Sequence, residues 1–449
     1  MNSFPHRADL RENAPHEAIE SEATAMSVFL GLGSNLGERR QNLAHALEKL
    51  EQRGIESRRV SPIVESPAML PAGAPPEWNL PFLNLVTEVT TDMRPSGVLH
   101  AIKDIESGFG REGNERWAPR LIDIDILLWG DHQIDESDLR VPHPGMHERS
   151  FVVTPLVALE PLLTIPGLGE KTMLDRSRDL EQHLPLWMGV VNVTPDSFSD
   201  GGRYDSWSTA QPCIDDMISA GAHIIDVGGE STRPGAEPLT SDEEWRRIEP
   251  VVQQLAALNG NDSLGPLISV DTYHRTTAEK ALDLGVDIIN DVGGLQAPDM
   301  LDLAKRSDAD WIAMHSLGLP AARDRVLAPD RDCFEQVDEW LVSRLDTWDS
   351  AGLDLSRIIF DPGIGFGKNS LQSMQLMARA GEFRRHGLRV LVGHSRKSYM
   401  NHLATDEQAK DLLTLGASLN LCSQGIDIIR VHNVPLHTAA FRGWNLAEG

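Results

Sequence analysis

Asp123 and Asp125 stand two apart in LIDIDILL, whose alternating isoleucines mark a strand. Side chains alternate along a strand, so both carboxylates face the same way, with Cα atoms about 6.6–6.8 Å apart. Such a pair suits a hard divalent cation like Mg²⁺, which takes few protein ligands and completes its shell with water and phosphate oxygens. Arg111, Arg116 and Arg120 lie just upstream, and their planar guanidinium forks match phosphate. Without those arginines the pair would read as an exposed edge face. A second set occupies the carboxyl-terminal half: Asn192, Asp226, Asp271, Asn290, His315, Asp361, Ser395, Arg396, Lys397, Arg430 and His432. Asp and Asn suit the donor and acceptor edge of a heterocycle, while Arg, Lys and His suit an anion.

Each residue of the second set closes an apolar run. The runs are 186–202, 222–232, 266–272, 287–294, 310–316, 357–368, 389–398 and 425–433. Helical patterns separate them, such as 241–259, where Ser241 and Glu244 are spaced as a capping box. Eight strands alternating with helices predict a closed (β/α)8 TIM barrel, with its site at the carboxyl ends of the strands. Any one strand-end residue is explained as well by loop capping. Eight ends meeting at one mouth are not.

Residues 27–165 have another rhythm. SVFLGLGSNLG predicts a short strand, then a helix near 38–52 with Leu43, Leu47 and Leu50 on its buried face. GLGSNLG fails as a dinucleotide loop because Leu36 holds the third glycine position. DPGIGFGKN fails as a Walker loop, since Asn369 replaces Ser or Thr and the spacing is short. His143 and His147 are four apart, but Pro144 and Gly145 intervene, so a helical zinc pair is not expected.

From about residue 186 the chain resembles dihydropteroate synthase. NVTPDSFSDGG, IDVGGESTRPGA, SVDT, IINDVGG, DPGIGFGK, GHSRKS and IRVH follow that family's motifs in order and spacing. The resemblance implies condensation of 6-hydroxymethyl-7,8-dihydropterin pyrophosphate with para-aminobenzoate, and a site that accepts sulfonamides. It implies that Asp271, Asn290, Asp361 and Lys397 hold the pterin, with Asp271 and Lys397 acting catalytically. Asn192, Arg430 and His432 would hold pyrophosphate, with one Mg²⁺ at Asn192. Thr232 and Arg233 would sit on a closing loop, while Pro234, Phe366, Ser395 and Ser398 frame para-aminobenzoate. Ser398 is expected to open a helix whose free N–H groups favour a carboxylate. His394 departs from the family pattern and is expected to point away from the site. A pterin-binding methyltransferase would share the Asp and Asn logic but lack TPDSFSDGG and SRKS.

The first half resembles the 6-hydroxymethyl-7,8-dihydropterin pyrophosphokinase family through LGLGSNLG, FLN at 82–84, ERWAPRLIDIDILL and VPHPGMHERSF. The resemblance implies a ferredoxin-like α/β sandwich that transfers pyrophosphate from ATP and releases AMP. Asp123 and Asp125 would hold two Mg²⁺, and Arg111 and Arg120 would stabilise charge. Glu106, Arg116, His143 and Arg149 would contact ATP; Phe82 and Phe151 would sandwich the pterin, with Asn84 and Ser66 at its edge. Three departures stand out: Val64 where relatives carry Tyr, a loop one residue shorter between Arg111 and Arg116, and a Pro-rich loop at 67–81. The competing reading is an inactive first domain retained as a scaffold.

The chain has 449 residues, enough for two cores, joined across 166–185. Residues 1–26, acidic and without an apolar centre, are expected to be a disordered tail, and Met26 is an alternative start. A net charge of −26 argues against nucleic acid and anionic membranes as partners. Three cysteines without CxxC spacing predict neither a disulfide framework nor a zinc site. A cytoplasmic enzyme is expected, and the resemblance implies a homodimer formed through the barrel.

Overall fold

The computed structural model describes residues 27–110, 117–193, 206–230, 238–261, 264–320, 324–404 and 406–448. The expected tail at 1–26 lies outside them.

Strands β1 (Val28–Ser34), β2 (Glu56–Val60), β3 (Val64–Ser66), β4 (Phe82–Thr90) and β5 (Asp123–Trp129) form an antiparallel sheet. Its order is β2-β4-β1-β5, with β3 continuing the β2 side of β4. Helix Arg39–Glu51 joins β1 to β2, and helix Pro95–Gly108 joins β4 to β5. That is the ferredoxin-like βαββαβ arrangement. β6 (Ile134–Asp135) and β7 (Arg140–Val141) form a small separate pair.

The two faces of this sheet have different fates. Leu30, Leu32, Leu85, Ile124 and Ile126 pack against Leu43, Ala46, Leu47 and Leu50 of one helix and Ile102 and Ile105 of the other. On the opposite face, Phe29, Val86 and Leu127 pack under Val152, Val153 and Leu156 of helix Ser150–Leu159. That single helix leaves part of its face uncovered. Asp123, Asp125 and Asn84 sit on the uncovered part, because register pairs Asp123 and Asn84 with Gly33 and Asp125 with Gly31.

The segment 166–185 is more than a connector. It carries helix Met173–Ser177, opened by a reciprocal capping box between Thr172 and Asp175. Met173 and Leu174 join the cluster under helix Ser150–Leu159.

Strands β8 (Leu186–Asn192), β9 (Ile224–Gly228), β10 (Leu267–Asp271), β11 (Ile288–Asp291), β12 (Asp310–Met314), β13 (Ile358–Asp361), β14 (Arg389–Gly393) and β15 (Ile428–Val431) close into a parallel barrel. β15 pairs with β8 and completes the ring. Buried Ile, Val, Leu and aromatic side chains pack the barrel core, so there is no pore. Helix Ser241–Asn261 departs from expectation at its start. Glu243 N–H donates to Thr240 Oγ1 at 3.3 Å, while Glu244 turns inward to accept from Thr272 Oγ1 at 2.7 Å. Ser241 and Glu244 therefore make no capping box.

The first domain seals the amino-terminal end of the barrel. Arg40 donates to the Leu264 carbonyl just before β10, and Leu264 joins the first domain's core. Thr154 donates to the Leu184 carbonyl ahead of β8 at 3.4 Å. Arg384 donates to Ser177 at 2.6 Å and pairs with Asp427, immediately before β15, at 3.1 Å. Val64 packs into the barrel's apolar cluster, and Glu65 pairs with Arg442 at 2.5 Å. Among the described residues no helix is long and apolar enough to cross a membrane.

Candidate active sites

β5 is an edge strand, and its free backbone must find partners. Ile124 N–H donates to the buried Glu106 carboxylate at 3.1 Å, which ties the strand to helix Pro95–Gly108. Beside that edge opens a cavity of about 240 Å³, lined by Glu106, Asp123, Asp125, Lys103, Arg140 and His143 among others. Arg120 donates to Asp123 Oδ1 at 2.8 Å, and His143 Nε2 lies 3.8 Å from Asp125 Oδ1. Burial and the neighbouring Asp123 charge both push the Asp125 carboxyl above the usual carboxylate range. Two neighbouring carboxylates, one of them held above its ordinary range and both opening onto a cavity, are a donor set that a divalent cation would relieve.

The predicted pterin residues gather on the same sheet face. Asn84 Nδ2 donates to Ser66 Oγ at 3.0 Å, and both residues are buried. Gly33 makes room there: a Cβ added to it would lie 3.1 Å from Asn84 Oδ1 and 3.4 Å from the Phe82 ring. Phe151 is half-buried on helix Ser150–Leu159, with the Arg149 guanidinium 6.0 Å from its ring centre. Arg111 and Arg116 lie outside the described residues. Val64, smaller than the expected Tyr, is the residue that packs toward the barrel.

At the barrel mouth the strand ends converge. Arg430, on β15, donates to buried Asp226 of β9 at 2.6 Å and to Asp271 of β10 at 2.9 Å. Asp226 also accepts from Ser269 at 2.6 Å and Asn290 at 3.3 Å. A Cβ at Gly228 would meet the Asp271 side chain at 3.4 Å and Asn192 Oδ1 at 3.9 Å, so Asn192 shares the mouth. Lys397 donates to the Ile364 carbonyl at 2.5 Å and lies 4.6 Å from the Phe366 ring centre. Ser395 Oγ meets His432 Nδ1 at 3.0 Å. Asp361 accepts from Gly363 N–H at 2.7 Å.

Electrostatics follow from this crowding. Burial pushes Asp271 up to about 7, against the pull of Arg430. Burial also raises Asp361 and lowers Lys397 to about 8. Charges held this close in a poorly solvated mouth respond strongly to an incoming anion or cation.

Several residues fall elsewhere than sequence suggested. Arg396 does not face the mouth; its guanidinium is spent on Asp411 at 2.6 and 2.9 Å and on Glu407 at 3.0 Å. Ser398 opens only a three-residue turn, Ser398–Met400, and the next long helix starts at Glu407. His394 points away as expected, held between Ser418 at 3.1 Å and Tyr399 at 3.4 Å, with burial lowering it to about 3. Thr232, Arg233 and Pro234 lie outside the described residues. Sequence reasoning missed Lys368, which donates to the His315 carbonyl at 3.0 Å and meets His315 Nδ1 at 2.6 Å. Burial takes both groups well below their ordinary values. Gly363 (φ 67°) is required beside it, because a Cβ would lie 2.0 Å from the His315 carbonyl oxygen.

A cavity beside paired aspartates on an antiparallel sheet, joined to a barrel mouth that gathers carboxylates, amides and cations, is an arrangement suited to a two-site transferase. Comparison with known proteins agrees. Residues 29–161 match the family model for 7,8-dihydro-6-hydroxymethylpterin-pyrophosphokinase, and residues 188–432 match that for pterin binding enzymes. A folate synthesis bifunctional protein from Chlamydia muridarum is 38% identical over 433 residues, spanning 91% of this chain and 95% of the relative. The dihydropteroate synthase of Xanthomonas albilineans, solved with 4-aminobenzoic acid, aligns with a TM-score of 0.54 at 33% identity, over 60% of this chain and 94% of that one. The Yersinia pestis enzyme, solved with a sulfonamide drug complex, aligns with a TM-score of 0.53 at 35% identity, over 59% and 94%. The chain belongs to the bifunctional folate synthesis family. It couples ATP-dependent pyrophosphorylation of 6-hydroxymethyl-7,8-dihydropterin to condensation of the product with para-aminobenzoate, giving 7,8-dihydropteroate.

Proposed function

We propose the following division of labour between the residues. In the first domain (27–165), Asp123 and Asp125 would hold two Mg²⁺, which would neutralise charge on the ATP phosphates. Arg120 and Arg111 stabilise the charge that builds as AMP leaves, while Glu106, Arg116, His143 and Arg149 position the nucleotide. Phe82, Phe151, Asn84 and Ser66 hold the pterin so that its hydroxymethyl oxygen lies in line with the β-phosphorus. The Asn84–Ser66 hydrogen bond and the Gly33 cleft support that assignment.

In the barrel (186–449, joined through 166–185), Asp271, Asn290, Asp361 and Lys397 bind the pterin ring. The methylene C–O bond breaks, its electron pair leaves with pyrophosphate, and the para-aminobenzoate nitrogen forms the new C–N bond and loses a proton. Arg430, His432 and Asn192 receive the departing diphosphate, and Asn192 would hold one Mg²⁺ there. Phe366, Ser395, Ser398, Thr232, Arg233 and Pro234 frame para-aminobenzoate or a sulfonamide in its place. The single observation that carries this reading is Arg430 bridging Asp226 and Asp271 at the mouth, one cation fixed among the pterin-holding carboxylates.

The test is a coupled assay from ATP, the pterin alcohol and para-aminobenzoate, with AMP and dihydropteroate followed separately. Both products should form. Condensation of preformed diphosphate without any AMP from the alcohol would make the first domain a scaffold. A homodimer through the barrel is supported by exposed Leu403 (71%), Leu412 (58%) and Leu371 (60%) on neighbouring elements. Leu403→Glu with Leu412→Glu should then halve the mass measured by light scattering. A cytoplasmic setting is supported by three free cysteines, and subcellular fractionation checks it.

A further inference from the structure

Beside the barrel mouth, outside the residues assigned above, Glu230, Glu244 and His274 each offer a ligand atom within 4.8 Å of the other two. They come from three elements. Glu230 follows β9, Glu244 lies in helix Ser241–Asn261, and His274 follows β10. Both oxygens of Glu230 accept hydrogen bonds, from Tyr273 at 2.6 Å and with His274 Nε2 at 3.3 Å. Glu244 is fully buried, and only its Oε2 is satisfied, by Thr272. Its Oε1 has no hydrogen-bond partner. The Thr277 hydroxyl lies close enough to favour the Glu244 carboxylate, but its hydrogen bond goes to the Ser241 carbonyl at 3.4 Å.

Among the described residues no arginine or lysine pairs with this group, and His274 is the basic side chain beside it. Arg247, one turn along the helix, is spent on Glu243 at 3.1 Å and on the Gly229 carbonyl at 3.2 Å. Burial raises the Glu244 pKa, and the Glu230 charge adds to the rise. A buried carboxylate oxygen without a donor is unfavourable, and a bound cation would satisfy it. We propose that Glu230, Glu244 and His274 form a structural site for a divalent transition-metal ion of the Zn²⁺ type. One imidazole and two carboxylates match that ion's borderline character, and water can complete the tetrahedron on the partly exposed His274 side. Ligand atoms around Zn²⁺ stand roughly 3.3 Å apart, so small carboxylate rotations close the triad. A bound ion would clamp the end of β9, helix Ser241–Asn261 and the turn after Asp271 together. It would act on the mouth by positioning, without touching substrate.

The test strips full-length protein with a chelator, restores millimolar Mg²⁺ to fill the oxygen-only sites, adds Zn²⁺, and measures retained metal after gel filtration. Wild type should hold one more Zn²⁺ per chain than His274→Gln or Glu244→Gln, and Asp123→Asn should not remove it. Affinity should fall about a hundredfold in His274→Gln, and Co²⁺ should give an intense low-coordinate visible band that this variant lacks. His274 is partly exposed, so its variant keeps the test alive if Glu244→Gln fails to fold. Equal Zn²⁺ in wild type and His274→Gln, or none retained by wild type, overturns the proposal.

Discussion

Replacing Lys397 with methionine removes a charge at nearly constant length, and the structure fixes what should follow. Burial, against the pull of Asp361, lowers the ammonium from 10.5 to about 8. Between those values the folded chain has released a proton that the unfolded chain still holds. Wild-type stability therefore rises as pH climbs from 8 to 10.5, and below pH 8 the buried ammonium is a net cost. A displacement of that size is worth at most about 3 kcal/mol, and partial exposure at the mouth trims it to roughly 1–2 kcal/mol. Lys397→Met escapes that cost but loses the Ile364 hydrogen bond and the Phe366 ring contact. Those contacts are worth about 0.5–1 kcal/mol each, so at pH 7 the variant should match wild type to within about 1 kcal/mol. At pH 10 it should be less stable by roughly 1–2 kcal/mol. Calorimetry of the barrel transition at both pH values reads the difference directly. A gap that is identical at pH 7 and pH 10 would refute the buried-ammonium account. Condensation should meanwhile fall about a thousandfold while AMP release is unchanged.

The other predictions are simpler. Asp123→Asn with Asp125→Asn should cut AMP release by about a thousandfold or more and spare condensation of preformed diphosphate; damage to both in folded protein would mean the sites are not independent. Gly33→Ala pushes a methyl toward Asn84 and Phe82, so the KM for the pterin alcohol should rise about tenfold with the KM for ATP unchanged. Asp226→Asn leaves Arg430 with Asp271 as its charged partner, and should lower barrel stability by about 1.5–3 kcal/mol, read by denaturant titration.

Much of this was legible in the sequence because the signals are local. The eight apolar runs became eight strands, and Leu43, Leu47 and Leu50 are buried together as their spacing demands. Asp123 and Asp125 share a sheet face because strand alternation needs no distant information. What failed needed partners far along the chain. Ser241 and Thr240 are both eligible caps, and Thr272, on another element, drew Glu244 inward. Arg396 is claimed by Asp411, 15 residues on, and Lys368 by His315 at a separation of 53. Long-range pairings of that kind leave no periodic trace.

The way the first domain caps the barrel carries a consequence for traffic. Its contacts with Leu264 and Leu184, and that of Ser177 with Arg384 beside Asp427, sit where strands begin, whereas Asp271, Asp361 and Arg430 stand where strands finish. The tube between is plugged with hydrocarbon. Any route for the activated alcohol from one site to the other therefore runs around the outside of the cylinder and enters from above. While in transit the alcohol is common property, open to dilution by any external pool and to interception by any other enzyme that recognises it.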